Sequence, residues 1–253
     1  MGRQRRKVSP ARTASKTRGV PSPVAGVRII GGEFRGRKLQ YSGDVRTRPM
    51  KDRSREALFS RLGKAVQGKL AVDLFAGTGA LGLEAVSRGA AGAVFIEQHG
   101  PTARAIGQSA ATLDIEDRVQ VIIADTFHCN KQGAERFLAA RKELDPQGTS
   151  AWLVFCSPPY DFYADRADEM LKLLGDLIAS APAESLFVVE ADARFDVGRL
   201  PEPDQWDFRP YPPAFVGIYR KGLGIGEQGL EAGKAIAIDS GGGSEASKES
   251  PNP

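Results

Sequence analysis

The sequence predicts an α/β fold built on a doubly wound, mostly parallel sheet with a final antiparallel strand, and three observations support this prediction. From Leu70 onward, short apolar segments typical of buried strands alternate with segments of helical spacing. One such strand, Ala71–Phe75, leads through closely spaced glycines into a helix at Ala80–Ser87. The last two strands, Asp207–Tyr211 and Phe215–Arg220, are joined by a connection too short for a parallel crossover, so we expect them to be antiparallel.

The remaining elements follow from the same patterns. Further strands are predicted at Ala93–Glu97, Val119–Ala124, Trp152–Cys156 and Leu186–Glu190, and helices at Asp52–Leu62, Pro101–Leu113, Lys131–Leu144 and Asp165–Ala179. Ahead of them, Val27–Ile30 and Glu33–Leu39 flank Gly31-Gly32, a pattern that predicts a small β-hairpin. The chain thus divides into a tail (1–25), a basic hairpin extension (26–46), the sheet domain (47–221) and a second tail (222–253). The compositions of both tails favour disorder.

A strong charge asymmetry indicates the kind of partner. The segment 1–55 contains 16 Lys and Arg against only three acids (Glu33, Asp44 and Asp52), although the whole chain has a net charge of only +4. A basic arm on an otherwise acidic chain points to a polyanion, with RNA or DNA as the leading candidate. For residues 1–24 the alternative is a tail that only aids solubility.

Composition argues against several other classes. Cys129 and Cys156 form neither a disulfide framework nor a metal-ligand spacing, so we expect no metal. No apolar run approaches the roughly 18 residues that a membrane span needs, and the basic N-terminal segment lacks the apolar part of a secretory signal. We therefore expect a cytoplasmic monomer without a membrane partner.

The glycine-containing turn after the first strand predicts a cofactor corner. Gly77, Gly79 and Gly82 have the spacing G-x-G-x-x-G between a buried strand and a helix. In a Rossmann-like sheet this turn lets a nucleotide approach bare backbone at a helix N-terminus. Glycine turns also serve only to pack a helix on a strand, so the context of strand and helix carries the prediction.

Acidic residues end the next two strands. Glu97 lies 18 positions after Gly79, close to the roughly 20-residue spacing at which an acid binds ribose hydroxyls in such folds. Asp125 follows the third strand, where it would accept a hydrogen bond from an adenine amino group. The alternative is that each is an ordinary surface residue.

The fourth strand runs into Ser157-Pro158-Pro159-Tyr160. Two prolines fix an extended turn, and the tyrosine can present a flat face to a base. This tetrapeptide resembles the [Asp/Asn/Ser]-Pro-Pro-[aromatic] motif of amino-group methyltransferases that use S-adenosylmethionine. Those enzymes have the class I methyltransferase fold. A structural turn is the alternative.

Longer segments narrow the resemblance. RIIGGEFRGRKL (Arg28–Leu39), TRPMKDRSREALF (Thr47–Phe59), VDLFAGTGALGLEAVSRGA (Val72–Ala90) and FIEQ (Phe95–Gln98) are similar to the family that methylates guanine N2 in bacterial small-subunit (16S) ribosomal RNA. The resemblance runs from about residue 28 to residue 220. It implies an rRNA methyltransferase whose partner is ribosomal RNA or the assembling small subunit.

The resemblance also implies roles for individual residues. Asp73, Phe75, Gly77 and Gly79 would surround the methionine part of the cofactor, with Glu97 at the ribose and Asp125 at the adenine. Ser157, Pro158 and Tyr160 fall on the catalytic tetrapeptide. The candidate RNA contacts are the basic residues of the hairpin and of the block that follows it: Arg28, Arg35, Arg37, Lys38, Arg48, Arg53 and Arg55.

One departure from the family pattern bears on the chemistry. The family usually has Asp where this chain has Ser157, and a hydroxyl is a weaker hydrogen-bond acceptor than a carboxylate. Three interpretations follow: an enzyme that works with Ser, one that acts on another base amine (cytosine N4 or adenine N6, in RNA or DNA), or a weakened enzyme that serves as an RNA-binding or ribosome-assembly protein.

Two further alternatives remain. A nicotinamide-dependent oxidoreductase also needs a glycine corner and an acid for the ribose, but it leaves Ser157–Tyr160 and the basic arm without a role. Cys156 could attack a pyrimidine ring, which requires an exposed thiolate. Strand alternation instead predicts that the Cys156 side chain points into the packing, away from Ser157.

Overall fold

The computed structural model describes residues 26–44, 47, 49–130 and 133–222. Residues 1–25, Arg48 and residues 223–253 lie outside this part, and with them the two tails and one candidate RNA contact. The described helices are α1 (Asp52–Leu62), α2 (Ala80–Ser87), α3 (Gly100–Leu113), α4 (Gly133–Leu144), α5 (Phe162–Asp165) and α6 (Ala167–Ser180). The strands are β1 (Leu70–Asp73), β2 (Gly92–Glu97), β3 (Val119–Ile123), β4 (Trp152–Cys156), β5 (Leu186–Asp192), β6 (Trp206–Tyr211) and β7 (Ala214–Arg220).

These seven strands form a single sheet within the described residues, in the order β3-β2-β1-β4-β5-β7-β6. The pairs from β3 to β5 are parallel, and β7 is antiparallel to both β5 and β6. The order reverses between the adjacent strands β1 and β4, which is where ligands bind in open α/β sheets. The predicted fold class is confirmed, including the antiparallel end of the sheet.

Side-chain alternation along the central strands divides the core into two layers. In β4, Leu153 and Phe155 join the layer with α1, α2 and α3, whereas Trp152, Val154 and Cys156 join the layer with α6. Both faces of the sheet are therefore covered, as strands with almost no polar residues require. No helix in the described ranges is long and apolar enough to cross a membrane.

The N-terminal hairpin differs from its prediction. A bridge joins Arg28 to Lys38, but the segment Glu33–Gly36, expected to be part of a strand, is a turn. The turn contacts the end of α2, because Ser87 Oγ accepts a hydrogen bond from the Phe34 N–H at 3.0 Å and donates one to the Gly31 carbonyl at 2.6 Å. These contacts join segments that are far apart in the sequence, so local spacing does not reveal them.

A buried carboxylate fixes the hairpin to the sheet domain. Glu84 of α2 is fully buried and accepts hydrogen bonds from the N–H groups of Ile30 at 2.7 Å and Gly31 at 2.8 Å. The Arg88 guanidinium also pairs with Glu84, at 2.7 Å. The apolar residues Val27, Ile29 and Leu39 of the hairpin belong to the same core layer as α1 and α2. The hairpin is thus packed on the sheet domain and is not a free arm.

The helix predicted at Asp165–Ala179 is interrupted at Arg166. The chain forms a short α5, turns at Arg166, and continues as α6. The turn directs the Arg166 side chain toward the carboxyl end of β3, where it pairs with Asp125.

Candidate functional site

Polar side chains from five neighbouring strands meet at one edge of the sheet. Asp73 and Glu97 end β1 and β2, and Asp125 and Ser157 lie just beyond β3 and β4. Glu190 lies on β5, two residues before its carboxyl end. The first four are predicted site residues, and Glu190 is an addition from the structure. The predicted end of β5 at Glu190 would have made it a candidate, but the sequence gives no sign of its contact with Ser157.

The glycine corner between β1 and α2 has the conformation that its residues predict. Gly77 and Gly79 have φ angles of 51° and 72°, a region that favours glycine. Gly82 has a different role, because a Cβ there would lie 2.3 Å from the Phe95 ring. Gly77 shapes the loop, while Gly82 lets α2 pack closely on β2.

Asp73 is an unusual group at the end of β1. Its carboxylate is buried, and Oδ2 accepts a hydrogen bond from the Gly82 N–H at 3.2 Å. Oδ1 has no hydrogen-bond partner among the described residues. Burial, opposed by the Gly82 hydrogen bond and aided by the Glu97 charge, raises the pKa of Asp73 to about 7. An unsatisfied buried acceptor of this kind suits a ligand that brings a donor or a positive charge.

Glu97 at the end of β2 connects the corner to the next helix. Its Oε2 accepts from the Gly77 N–H at 2.8 Å, and its Oε1 accepts from the His99 N–H at 2.7 Å. Both carboxylate oxygens are therefore fixed beside the glycine loop. Each oxygen retains a lone pair that can accept from a ribose hydroxyl.

Asp125 beyond β3 lies in a dense polar and aromatic cluster. Its Oδ1 accepts from the Phe127 N–H at 3.0 Å, and its Oδ2 lies 3.1 Å from both Arg166 and His128. Burial raises the pKa of Asp125, but these hydrogen bonds and the Arg166 charge outweigh it and lower the pKa below its usual value. The sequence did not indicate Arg166 because its partner, Asp125, is far from it along the chain.

Aromatic rings border the same place. Phe75, Phe127 and Phe162 form a cluster with centroid separations of 5.6 to 6.1 Å. The Arg166 guanidinium lies 3.9 Å from the Phe127 ring centroid, a cation–π contact. Phe75, predicted to contact the cofactor, therefore lies in an apolar wall next to Asp125.

The Ser157–Tyr160 turn brings two hydroxyl groups to one carboxylate. The Ser157 hydroxyl donates a hydrogen bond to Glu190 Oε2, and the Tyr160 hydroxyl donates to Oε1 at 3.1 Å. Pro158 is buried and fixes the turn, while Ser157 and Tyr160 are partly exposed. The predicted catalytic residues thus lie together, next to the end of β1.

Cys156 does not have the surroundings of a nucleophile. Its side chain is buried, and Sγ lies 3.4 Å from Met170 Sδ in the layer beneath α6. Burial, opposed by a Tyr163 hydrogen bond and aided by the Asp73 charge, raises the pKa of the Cys156 thiol to about 12. The thiol stays protonated and inaccessible, as strand alternation predicted.

The candidate RNA contacts separate into exposed residues and one buried residue. Arg28, Arg35, Arg37, Lys38 and Arg53 are exposed. Arg28 pairs with Asp52 at 3.0 Å, and Arg37 donates to the Thr112 carbonyl at 2.6 Å.

The prediction that Arg55 contacts RNA is wrong. Its side chain is fully buried and donates to the carbonyls of Met50 and Arg28, with Glu84 at 3.7 Å. Arg55 connects α1 to the hairpin and to α2, and its guanidinium contacts groups inside the protein. The sequence shows that Arg55 is charged, but it does not show that the fold places Glu84 next to it.

The strand order, the antiparallel end of the sheet and the glycine corner define a class I S-adenosylmethionine-dependent methyltransferase. The residues present suit this cofactor, because Gly77 opens the loop and Asp73 offers an unsatisfied buried acceptor.

Comparison with known proteins gives the family. Residues 27–206 match the family model described as Conserved hypothetical protein 95. The chain is 36% identical over 175 residues to Ribosomal RNA small subunit methyltransferase D of Escherichia coli (strain K12), covering 69% of this chain and 79% of the relative. The chain belongs to this family.

Two further comparisons agree. Ribosomal RNA small subunit methyltransferase D of Haemophilus influenzae is 32% identical over 156 residues, which is 61% of this chain and 73% of the relative. A solved Escherichia coli structure, provisionally named methyltransferase yhhF, is 30% identical and has a TM-score of 0.58. The match covers 78% of this chain and 98% of that one. These relatives favour methyl transfer over the nicotinamide alternative.

Proposed function

We infer that this chain transfers a methyl group from S-adenosylmethionine to the exocyclic N2 of a guanine in small-subunit ribosomal RNA. The observation that carries this proposal is the Ser157–Tyr160 turn beside the glycine corner, where an amine donor would meet hydrogen-bond acceptors. The names of the relatives supply the substrate, since they are small-subunit rRNA methyltransferases. Such a substrate implies a cytoplasmic location and a partner in ribosomal RNA or the assembling subunit; we take the enzyme to be a monomer.

The proposed chemistry addresses a poor nucleophile. The lone pair of an exocyclic guanine amine is delocalised into the ring, and acceptors for both N–H groups favour a more pyramidal, more reactive nitrogen. Ser157 Oγ and the Pro158 carbonyl are the proposed acceptors, and Tyr160 stacks on the base. S-adenosylmethionine supplies the methyl group, activated on a sulfonium. Positioning and electrostatics contribute most of the acceleration.

The cofactor contacts follow the strand ends. Asp73, Phe75, Gly77 and Gly79 surround the methionine part, Glu97 accepts from the ribose hydroxyls, and Asp125 accepts from the adenine amine. The backbone N–H bonds that fix Glu97 and Asp125 support these roles, because they hold each carboxylate in one orientation. Arg166 pairs with Oδ2 of Asp125, so Oδ1 keeps one lone pair for the adenine.

The proposed RNA surface consists of the exposed basic residues of the hairpin and α1. Arg35 and Lys38 have exposed side chains, and the attachment of the hairpin through Glu84 supports a fixed position for these charges on the protein. Arg28, Arg37 and Arg53 add to the same surface. Arg48 keeps its proposed role from the sequence alone.

A second candidate rests on Ser157, which stands where the family usually has Asp. In this candidate the chain methylates another base amine, or binds RNA as an assembly protein with little transfer activity.

Nucleoside mapping separates these candidates. Mass spectrometry of ribosomal RNA from a strain that lacks this gene should show one N2-methylguanosine missing from the small subunit. A missing cytosine or adenine methyl group would favour the other target, and an unchanged modification map would favour the assembly protein.

A further inference from the structure

The carboxylate of Glu190 connects the two hydroxyl groups of the proposed catalytic turn. Glu190 lies on β5, one residue beyond Val189, which pairs with Cys156 in the register of β4 and β5. Its two oxygens accept separately, Oε2 from Ser157 and Oε1 from Tyr160. Within the described ranges no Lys, Arg or His forms an ion pair with Glu190; the nearby Arg166 and Arg194 pair with other acids.

The direction of the Ser157 hydrogen bond decides what Ser157 offers the substrate. A serine hydroxyl has one proton and two acceptor lone pairs. Because the proton is donated to Glu190, only lone pairs remain to face an amine. The negative charge of Glu190 also makes this hydrogen bond charge-assisted and increases electron density on Oγ.

We propose that Glu190 is a positioning residue that acts through Ser157, so that its charge holds the Ser157 hydroxyl as an acceptor. This inference rests on the proposed function. Glu190 aligns the Ser157 hydroxyl as an acceptor for one N–H of the target amine, and it orients Tyr160 for stacking. The backbone role of residue 190 is separate, because Tyr163 donates to its carbonyl at 2.9 Å.

The proposal accounts for the proton that methyl transfer releases. The nitrogen lone pair forms the new N–C bond, and the electron pair of the broken C–S bond stays on sulfur. The amine then carries one proton too many. That proton passes to Ser157 Oγ while the Ser157 hydroxyl proton passes to the Glu190 carboxylate, which later releases it to water.

The first test is Glu190→Gln, which keeps the shape and removes the charge. We expect kcat for RNA methylation to fall about 10- to 100-fold, the range for loss of a charged hydrogen bond. The KM for RNA and the affinity for S-adenosylhomocysteine, measured by titration without turnover, should be unchanged. The matched control is Asp192→Asn, on the same strand but paired with Arg194, which should leave kcat unchanged.

The decisive test is a set of double variants. Ser157→Asp alone places two carboxylates in contact and should be less active than the wild type. Adding Glu190→Gln should restore activity, because one carboxylate then remains, at position 157, to accept from the amine. The double variant of Ser157→Ala and Glu190→Gln should be no less active than the less active of the two single variants, because Glu190 acts through Ser157.

The outcomes distinguish this inference from the proposed function. Three results would each overturn the inference and indicate a structural role. In the first, Ser157→Asp fails to restore the activity of Glu190→Gln. In the second, the losses of Ser157→Ala and Glu190→Gln add, and in the third, Glu190→Gln binds S-adenosylhomocysteine more weakly than the wild type. A wild-type chain that methylates no RNA would overturn the proposed function itself, before any variant is made.

Discussion

At the scale of single residues, burial of the Asp73 carboxylate makes the stability of the chain depend on pH. Burial raises the pKa of Asp73 to about 7, whereas the unfolded chain has a pKa of about 4 for aspartate. Between these values the folded state binds a proton that the unfolded state releases. The free energy of unfolding therefore falls as the pH rises through this window.

Asp73→Asn should remove this contribution. Between pH 5 and pH 8 the free energy of unfolding of the wild type should fall by about 2 to 3 kcal/mol more than that of the variant. The pKa of Asp73 in the folded chain lies about two pH units above the lower end of that interval. Urea unfolding at the two pH values measures it. Equal losses in the two proteins would show that Asp73 does not titrate as its burial requires.

Cys156→Ala tests whether the thiol takes part in the reaction. The buried, protonated thiol touches Met170 and contributes only packing, so methyl transfer should be retained. The free energy of unfolding should fall by about 1 to 2 kcal/mol for the small cavity. Loss of transfer in a folded variant would instead favour attack by Cys156 on a pyrimidine carbon.

Residues also mark the limit of what the sequence can predict. Ser157, Glu97 and Asp125 could be found because each follows a recognisable strand, and parallel strands bring their carboxyl ends together. Glu190 needed the β4–β5 register to place it beside Ser157, and Arg55 needed Glu84, from another helix, to explain its burial. Pairing between distant segments is not encoded in local spacing.

At the scale of elements, the turn of the hairpin depends on close contact with α2. Gly32 has a φ of 77°, and a Cβ there would lie 1.9 Å from the Ser87 carbonyl oxygen. Gly36 has a similar φ of 86°, yet a Cβ there would meet nothing within 4 Å. A side chain at Gly36 would therefore meet only the strain of a positive φ, whereas a side chain at Gly32 would also clash with α2.

Substitution of each glycine by alanine should separate these two effects. Gly36→Ala should lower the free energy of unfolding by about 1 to 2 kcal/mol, because of the left-handed conformation alone. Gly32→Ala should cost about 1 to 3 kcal/mol more, because the methyl group pushes the turn away from Ser87. Denaturant unfolding of both variants provides the comparison. Equal losses would mean that the hairpin is not docked on α2 as described.

Elements differ in how well the sequence predicted them. The bounds of β4 and α2 agree with the prediction to the residue, since an unbroken apolar run and a glycine-bounded helix carry clear local signals. The Gly31-Gly32 pattern predicts a returning strand that includes Glu33–Gly36, where the chain instead forms a turn. Ser87 and Glu84, which hold the hairpin turn, belong to a distant part of the sequence.

At the scale of the whole molecule, the charge asymmetry predicts salt-dependent RNA binding. The double variant Arg35→Ala and Lys38→Ala removes two exposed charges from the proposed RNA surface. The slope of log affinity against log salt should become shallower by about 1.5, since each phosphate contact contributes about 0.7 to 0.9. Filter binding or fluorescence titration over a range of salt concentrations measures the slope.

The control for this variant lies on the other face of the sheet. Lys172→Ala with Arg199→Ala also removes two exposed charges, from α6 and the segment that pairs with it. This pair should leave the slope unchanged. Equal effects of the two double variants would show that binding follows net charge and not the hairpin surface.

The most direct test of the proposed function is methyl transfer in a purified system. The purified chain, labelled S-adenosylmethionine and unmodified small-subunit ribosomal RNA are combined, free or in subunits, and the RNA is digested to nucleosides for mass spectrometry. We expect the label in N2-methylguanosine at a single position. Label in N4-methylcytidine or N6-methyladenosine, or no transfer to RNA from a chain that binds the cofactor, would contradict the proposal.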